Sequence, residues 1–341
     1  MNYTKFFTLF FFICFVFTSC SDCSHSKVKN IKTYAKIFRF DSIFYAINNP
    51  KTAENDLNKV KNLDPTFMKI YANQIYNMGY DTLLPVENLF MHINSAQVIE
   101  TKKRADSIFV NFREVKQKLD LVSKYYKLYY PSRNFPTIKT FYGGFAGFMA
   151  WFYDSSSLMV DLDMYLGSNF EAYPTFFPQY KYTYFNPEML PINITKEIVR
   201  REMIPFETEK PKNMLAHIIL EAAKFYELTK LMPCEKKPLL FEYTEAQWNW
   251  NIKEEKMIWQ YIIKEKLLYE SDYKTYRALV GEGPNTTRTG VAPNAPPRIG
   301  IWTGYQIIKS FFTNNKNVTS VQEMIKNYAP EQILTMAKYK P

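Results

Sequence analysis

Histidine is nearly absent from this chain: His25, His92 and His217 are the only three in 341 residues. No two of them stand four apart, so the helical histidine pair that holds zinc in many metallopeptidases is missing. Glycine is also scarce, 10 in all, and no Gly-x-Ser-x-Gly turn presents a serine nucleophile. No reactive cysteine sits beside a histidine in the body of the chain. The formal net charge is +10, but lysine and arginine are scattered among Asp and Glu. No basic block or motif marks a nucleic-acid surface, so nucleic acid is excluded as a partner. A mild positive excess suits an anionic envelope surface. No internal repeat is visible.

Cysteine is sparse as well, and placing the four residues removes most of them from the fold. Cys14 lies inside an apolar run, Phe6–Phe17, that follows Lys5. That run is too short to be a stable bilayer-spanning helix and has the layout of an export signal. It stops at Phe17-Thr-Ser-Cys20, where small residues precede a cysteine able to accept diacylglycerol. Phe17 stands where leucine is usual in such a box. We therefore expect residues 1–19 to be a lipoprotein signal peptide and Cys20 to be the lipidated first residue of the mature protein. Two or more acyl chains give stable anchoring. Residues 20–30 then read as a polar tether and residues 31–341 as one globular domain. Cys23 falls in the tether, so the core is expected to be held by packing, without a bridge from Cys23 to Cys234.

What is abundant is aromatic side chain: Tyr 26, Phe 28 and 17% aromatic residues overall point to a tightly packed body. Ile37, Phe38 and Phe40 suggest an extended entry, with a helix starting at Asp41 or Ser42. Asp64-Pro65 is a helix start, and Val98–Tyr129 carries one long helical pattern ended by Pro131. After Pro136 the period changes. Thr137–Tyr142, Phe145–Tyr153 and Ser157–Leu166 read as strands of a small sheet, antiparallel in part. Later helices are expected over Thr195–Met203, Asn213–Met232, Ala246–Tyr269, Gly304–Phe312 and Val318–Ala337. Thr244-Glu-Ala-Gln247 has the pattern of a capping box. The long Gly281–Pro297 loop is of the kind that carries function. The fold class is α+β, mostly helical around a small mixed sheet.

Few residues carry chemistry. Asp161 and Asp163 share a strand face and could bind a cation or act on a glycoside; solvated carboxylates on a half-exposed strand are the plainer expectation. Glu221 lies on an apolar helix one turn after His217. It is either paired with Lys196, Arg200 or Lys224, or the relic of a site. Pro296-Pro-Arg-Ile-Gly-Ile-Trp-Thr-Gly304 delivers Arg298 and Trp302 from a Pro/Gly loop. Arginine and tryptophan together favour a recognition surface, while Trp302 could equally plug the core. Gly300 and Gly304 would let the chain pass close to a neighbour.

The chain resembles the GldB-type gliding-motility lipoproteins of Bacteroidetes over nearly all of its mature length. The likeness rests on Tyr165-Leu-Gly167, Tyr173-Pro-Thr-Phe-Phe-Pro-Gln-Tyr180 and Met214–Pro233. It continues through Tyr243-Thr-Glu-Ala-Gln-Trp248, Leu267-Leu-Tyr-Glu-Ser-Asp272, Pro297–Ser310 and Lys338-Tyr-Lys-Pro341. It implies an envelope lipoprotein required for gliding and associated with machinery that also serves type IX secretion. It further implies a zincin-like fold that has lost its metal. Lys196 and Arg200 would occupy the positions of the two histidines, and Glu221 would be the persisting glutamate of the next helix, followed by Ala222 where relatives prefer glycine. Cationic side chains do not ligate zinc in place of neutral imidazole. On this reading there is no metal, no cofactor and no catalytic residue. The protein is anchored outside the cytoplasm, at the periplasmic face of the outer membrane, and binds other envelope proteins. Two other readings remain open on the sequence: a lipid-anchored hydrolase with a non-histidine site, and a lipoprotein that binds envelope glycan or peptide.

Overall fold

A computed structural model describes residues 25–341 apart from 81–82, 111, 148, 208–209 and 288–289. Cys20, with the rest of the signal and the start of the tether, lies outside the described residues. The body begins earlier than residue 31. His25–Val28 forms a 3-10 turn that buries Val28. Cys234 is disulfide-bonded, which corrects the expectation of a core held by packing alone. The other cysteines, Cys14, Cys20 and Cys23, are all outside the described residues. His25 Nδ1 lies 3.8 Å from Cys234 Sγ, so the described N-terminus reaches the end of the longest helix among the described residues.

Four short strands form one mixed sheet in the order β1-β2-β4-β3: β1 (Ile37–Phe38), β2 (Thr137–Phe141), β3 (Ala150–Phe152) and β4 (Ser157–Asp161). β1 and β4 run parallel to β2, and β3 runs antiparallel to β4. Every residue of β4 is buried, as a central strand covered on both faces requires. Asp64 ties the first helices to this sheet. It caps the helix Pro65–Ile70 by accepting from the Phe67 amide at 3.0 Å, and it also takes the Lys139 ammonium of β2 and the Tyr153 hydroxyl. Phe40, Phe44, Phe67, Tyr71 and Phe141 pack edge and face between those helices and the sheet.

Four longer helices carry the remaining argument: α1 (Arg113–Tyr129), α2 (Met189–Met203), α3 (Met214–Leu231) and α4 (Ile299–Asn314). The expected long helix from Val98 to Tyr129 is in fact two. It breaks after Ile108 and restarts as α1, with Phe112 left-handed at φ 49. No glycine or proline signals that break. Burial of Phe109 and Phe112, and the Arg39 guanidinium 4.4 Å over the Phe112 ring, offset the backbone cost. The Ala246–Tyr269 pattern is likewise divided, into Glu245–Lys253, Glu255–Lys264 and a 3-10 turn at Leu267–Tyr269, with Lys266 left-handed. The capping box at Thr244 and Gln247 is present.

α3 and α4 cross at the centre of the core. Gly304 is there because nothing larger fits: an added Cβ would lie 2.3 Å from the Ile218 carbonyl oxygen of α3. Gly300 is nearly as tight, 3.0 Å from the Leu279 carbonyl oxygen. Trp302 is fully buried, edge-on to Trp248 at 4.7 Å and to Phe241 at 6.2 Å. These three residues lie inside α4, which starts five residues before the expected Gly304, and not on an exposed loop. They pack the interior and present nothing to a partner. Gly304→Ala is therefore expected to destabilise the domain by about 1–3 kcal/mol, the usual cost of forcing volume into a filled core. A chemical-denaturation midpoint equal to that of the wild type would contradict this packing.

Candidate functional site

Side chains from α2, α3 and α4 converge beside β3. On α2, Lys196, Glu197 and Arg200 face the same hollow. On α3, His217, Glu221 and Lys224 recur at helical spacing along one side. Arg298 joins from the left-handed residue before α4, at φ 58. Glu242 joins from the turn after the helix Lys237–Leu240 and is also left-handed, at φ 54. Together with Met149 and Ala150 they line a cavity of about 460 Å³. A second cavity of about 700 Å³ adjoins it, walled by the Phe177–Phe185 segment and the start of the long loop at Glu282–Pro284. Met149, Glu242, Glu282 and Arg298 line both, so the two form one trough with a charged waist.

The waist is a three-residue charge cluster. Lys196 Nζ lies 2.5 Å from Glu242 Oε1, and Arg298 Nη1 lies 3.2 Å from Glu242 Oε2. The other Arg298 amino group donates to the Phe241 carbonyl at 2.5 Å. Burial on its own would raise the Glu242 carboxyl. The charges of Lys196 and Arg298 outweigh that and pull it down to about 2. Burial in turn lowers Lys196, with Glu242 opposing and Arg298 reinforcing the shift. For Arg298, burial pulls down but Glu242 prevails, and the guanidinium is held above its ordinary value.

The remaining cations of this cavity are also paired. Arg200 makes a bidentate contact to Glu197 through Nε and Nη2, both at 2.7 Å. Glu197 also accepts from the Phe152 amide at 3.4 Å on the outer edge of β3. Lys224 lies 2.8 Å from Glu221 and 2.6 Å from Glu207. His217 stacks on Tyr273 at 5.9 Å; burial lowers its proton affinity, Glu221 raises it and Lys224 lowers it, for a net depression. Lys196, Arg200 and Glu221, singled out in the sequence, thus do converge on one cavity, each in an ion pair. Of the alternatives for Glu221, the partner is Lys224. The donor set does not suit a metal: the two α2 positions are cationic and engaged. No group of three or more His, Cys, Asp or Glu close enough to hold one occurs among the described residues.

Arg298 is in this site but is not the exposed arginine expected of a contact loop. Its side chain keeps 12% exposure. Sequence reasoning missed Glu242. The available signal was an acid inside the apolar run Leu239-Leu-Phe-Glu-Tyr243, a place where a carboxylate needs a cation.

Asp161 and Asp163 require a correction. Both are fully buried, and they share no strand face, because β4 ends at Asp161 and Leu162–Tyr165 is a 3-10 turn. The parallel register of β2 and β4 sets Phe141 beside Asp161, which brings the Gly143–Phe145 turn onto the two acids. Asp161 accepts from the Gly143 amide at 2.8 Å and Asp163 from the Phe145 amide at 3.1 Å. Burial raises both carboxyls, and the neighbouring Asp163 charge pushes Asp161 further. Gly143 is required there, since a Cβ would fall 2.1 Å from Asp161 Oδ2. The pair pins a turn.

The Glu242 shift sets a direction for acid stability. Its folded value, about 2, is below the ordinary 4.5, so its contribution is complete above pH 4.5 and is lost as pH falls toward 2. Unfolding free energies across that range should fall less steeply in Glu242→Gln than in the wild type. Parallel curves would contradict the charge cluster.

No helix among the described residues is long and apolar enough to cross a membrane. No curated protein and no solved structure matches the chain. A family model does match, that of gliding motility protein GldB, over residues 21–341. With almost the whole length covered, the chain belongs to the GldB family of gliding motility proteins.

Proposed function

We propose that this protein is a lipid-anchored envelope component of the gliding apparatus, the machinery that also serves type IX secretion, and that it works by binding. Membership of the GldB family supports the link to gliding. The Phe17-Thr-Ser-Cys20 box supports acylation of Cys20, with the outer membrane's periplasmic face as its address. A zincin-like ancestry would explain why α2 carries cations where histidines would stand.

One observation carries the non-catalytic reading: each lysine and arginine lining the smaller cavity is matched by a carboxylate of the same chain. A general base or nucleophile must be free to meet substrate, and an activated one stands within reach of a base. Lys196 and Arg298 are instead engaged by Glu242, Arg200 by Glu197, and Lys224 by Glu221 and Glu207. What the trough offers is surface. The larger cavity presents half-buried Tyr180 and Tyr184 with Gln247, rings and an amide of the kind that contact peptide or glycan. That wall is our assignment for the partner contact, in place of the residues inside α4.

Metal analysis and peptidase assays of the purified protein test the reading. We expect no stoichiometric zinc and no hydrolysis. One zinc per chain that survives dialysis and is lost in Glu221→Ala would overturn it, as would peptide hydrolysis abolished by the same substitution.

A further inference from the structure

The described N-terminus and the Cys234 corner bring a set of lysines together. Lys27 and Lys29 flank buried Val28 and are exposed. His25 reaches Cys234, and Lys236 and Lys237 follow it, both exposed. Lys237 is near enough to Lys309 of α4 for its charge, after burial, to lower that residue's proton affinity. The nearby acid is already taken, Glu235 being held by Lys118 at 2.7 Å. Among the described residues no carboxylate pairs with Lys27, Lys29, Lys236 or Lys237. This corner therefore carries lysines with no carboxylate partner among the described residues, whereas each lysine and arginine of the smaller cavity has one.

Its position along the chain says what lies opposite. Five residue steps separate Cys20 from His25, and fully extended they span at most about 17 Å. If Cys20 is acylated, the His25 and Cys234 corner cannot stand further than that from the headgroups. Lysines held at such a surface are drawn in over roughly one Debye length, about 8–10 Å. We propose that the face carrying Lys27, Lys29, Lys236 and Lys237 rests on the anionic phospholipid headgroups of the membrane that holds the anchor. The acyl chains supply attachment, and the lysines fix which way the body faces. This orientation rests on the reading of Cys20 as the lipidated residue.

The test uses the mature protein extracted from its own membranes and reconstituted in two kinds of vesicle. One is phosphatidylcholine alone, and the other contains added phosphatidylglycerol. Amine-reactive labelling is then read lysine by lysine by mass spectrometry. The mass of the N-terminal peptide reports in the same digest whether Cys20 carries acyl chains. We expect labelling of the four lysines to slow about fivefold in the phosphatidylglycerol vesicles, the ratio equivalent to the attraction of about 1 kcal/mol between one lysine and an anionic surface. High salt should remove the difference, and lysines elsewhere on the body should label alike in both vesicles. In a Lys236→Gln, Lys237→Gln protein, the protection of Lys27 and Lys29 should shrink. An acylated protein whose four lysines label equally in both vesicles overturns the orientation and leaves the anchor standing. An N-terminal peptide without acyl chains overturns the anchor, and the orientation falls with it.

Discussion

The carboxylate of Glu242 is the interaction on which the centre of this molecule depends. Two cations from different helices meet it, Lys196 from α2 and Arg298 from the start of α4. Neither cation would be stable there alone, since a charge removed from water without a partner costs several kcal/mol. Both Glu242 and Arg298 hold left-handed backbone. That cost is offset because the left-handed turns aim the two side chains at each other. The trough exists because this cluster keeps its waist open and polar while apolar side chains close in on either side.

The placement of Arg298 rests in turn on the contact between α3 and α4. Gly304 brings the α4 backbone against the Ile218 carbonyl. Close approach fixes the axial position of α4, and therefore where its first residues emerge. His217 and Glu221 occupy the same stretch of α3 as Ile218, so the contact that sets Arg298 also sets the opposite wall of the smaller cavity. Helices packed this closely hold the side chains of the site in fixed relative positions.

Much of the fold was legible in the sequence. Asp64-Pro65, the capping box at Thr244 and the strand pattern of Thr137–Phe141 each depend on local chemistry, and each was found. The breaks at Phe112 and Lys266 were not, because a left-handed phenylalanine or lysine has no local signature and persists through tertiary packing. Asp161 and Asp163 misled for a related reason. Alternation implied a half-exposed strand, but their partners are backbone amides across the sheet, which no single-sequence pattern shows. The site was half legible. Glu221 stood out as an acid on an apolar helix with Lys196, Arg200 or Lys224 as its partner, the family resemblance pointed to the same residues, and Lys196, Arg200 and Glu221 do share a cavity. Glu242, which makes the cavity coherent, was passed over. Arg298 and Trp302 were read together as a recognition surface, with a core role for Trp302 as the other reading; Trp302 does fill the core, and Arg298 joins the site.

The claim that the waist is a coupled charge cluster is open to one direct measurement, a double-mutant cycle on Glu242→Gln and Lys196→Met read by chemical denaturation. If the two side chains act as one unit, the double variant should be less destabilised than the sum of the single variants, with a coupling of about 1–3 kcal/mol. Additive effects, agreeing within about 0.5 kcal/mol, would show that the pair is incidental and would contradict this account of the site.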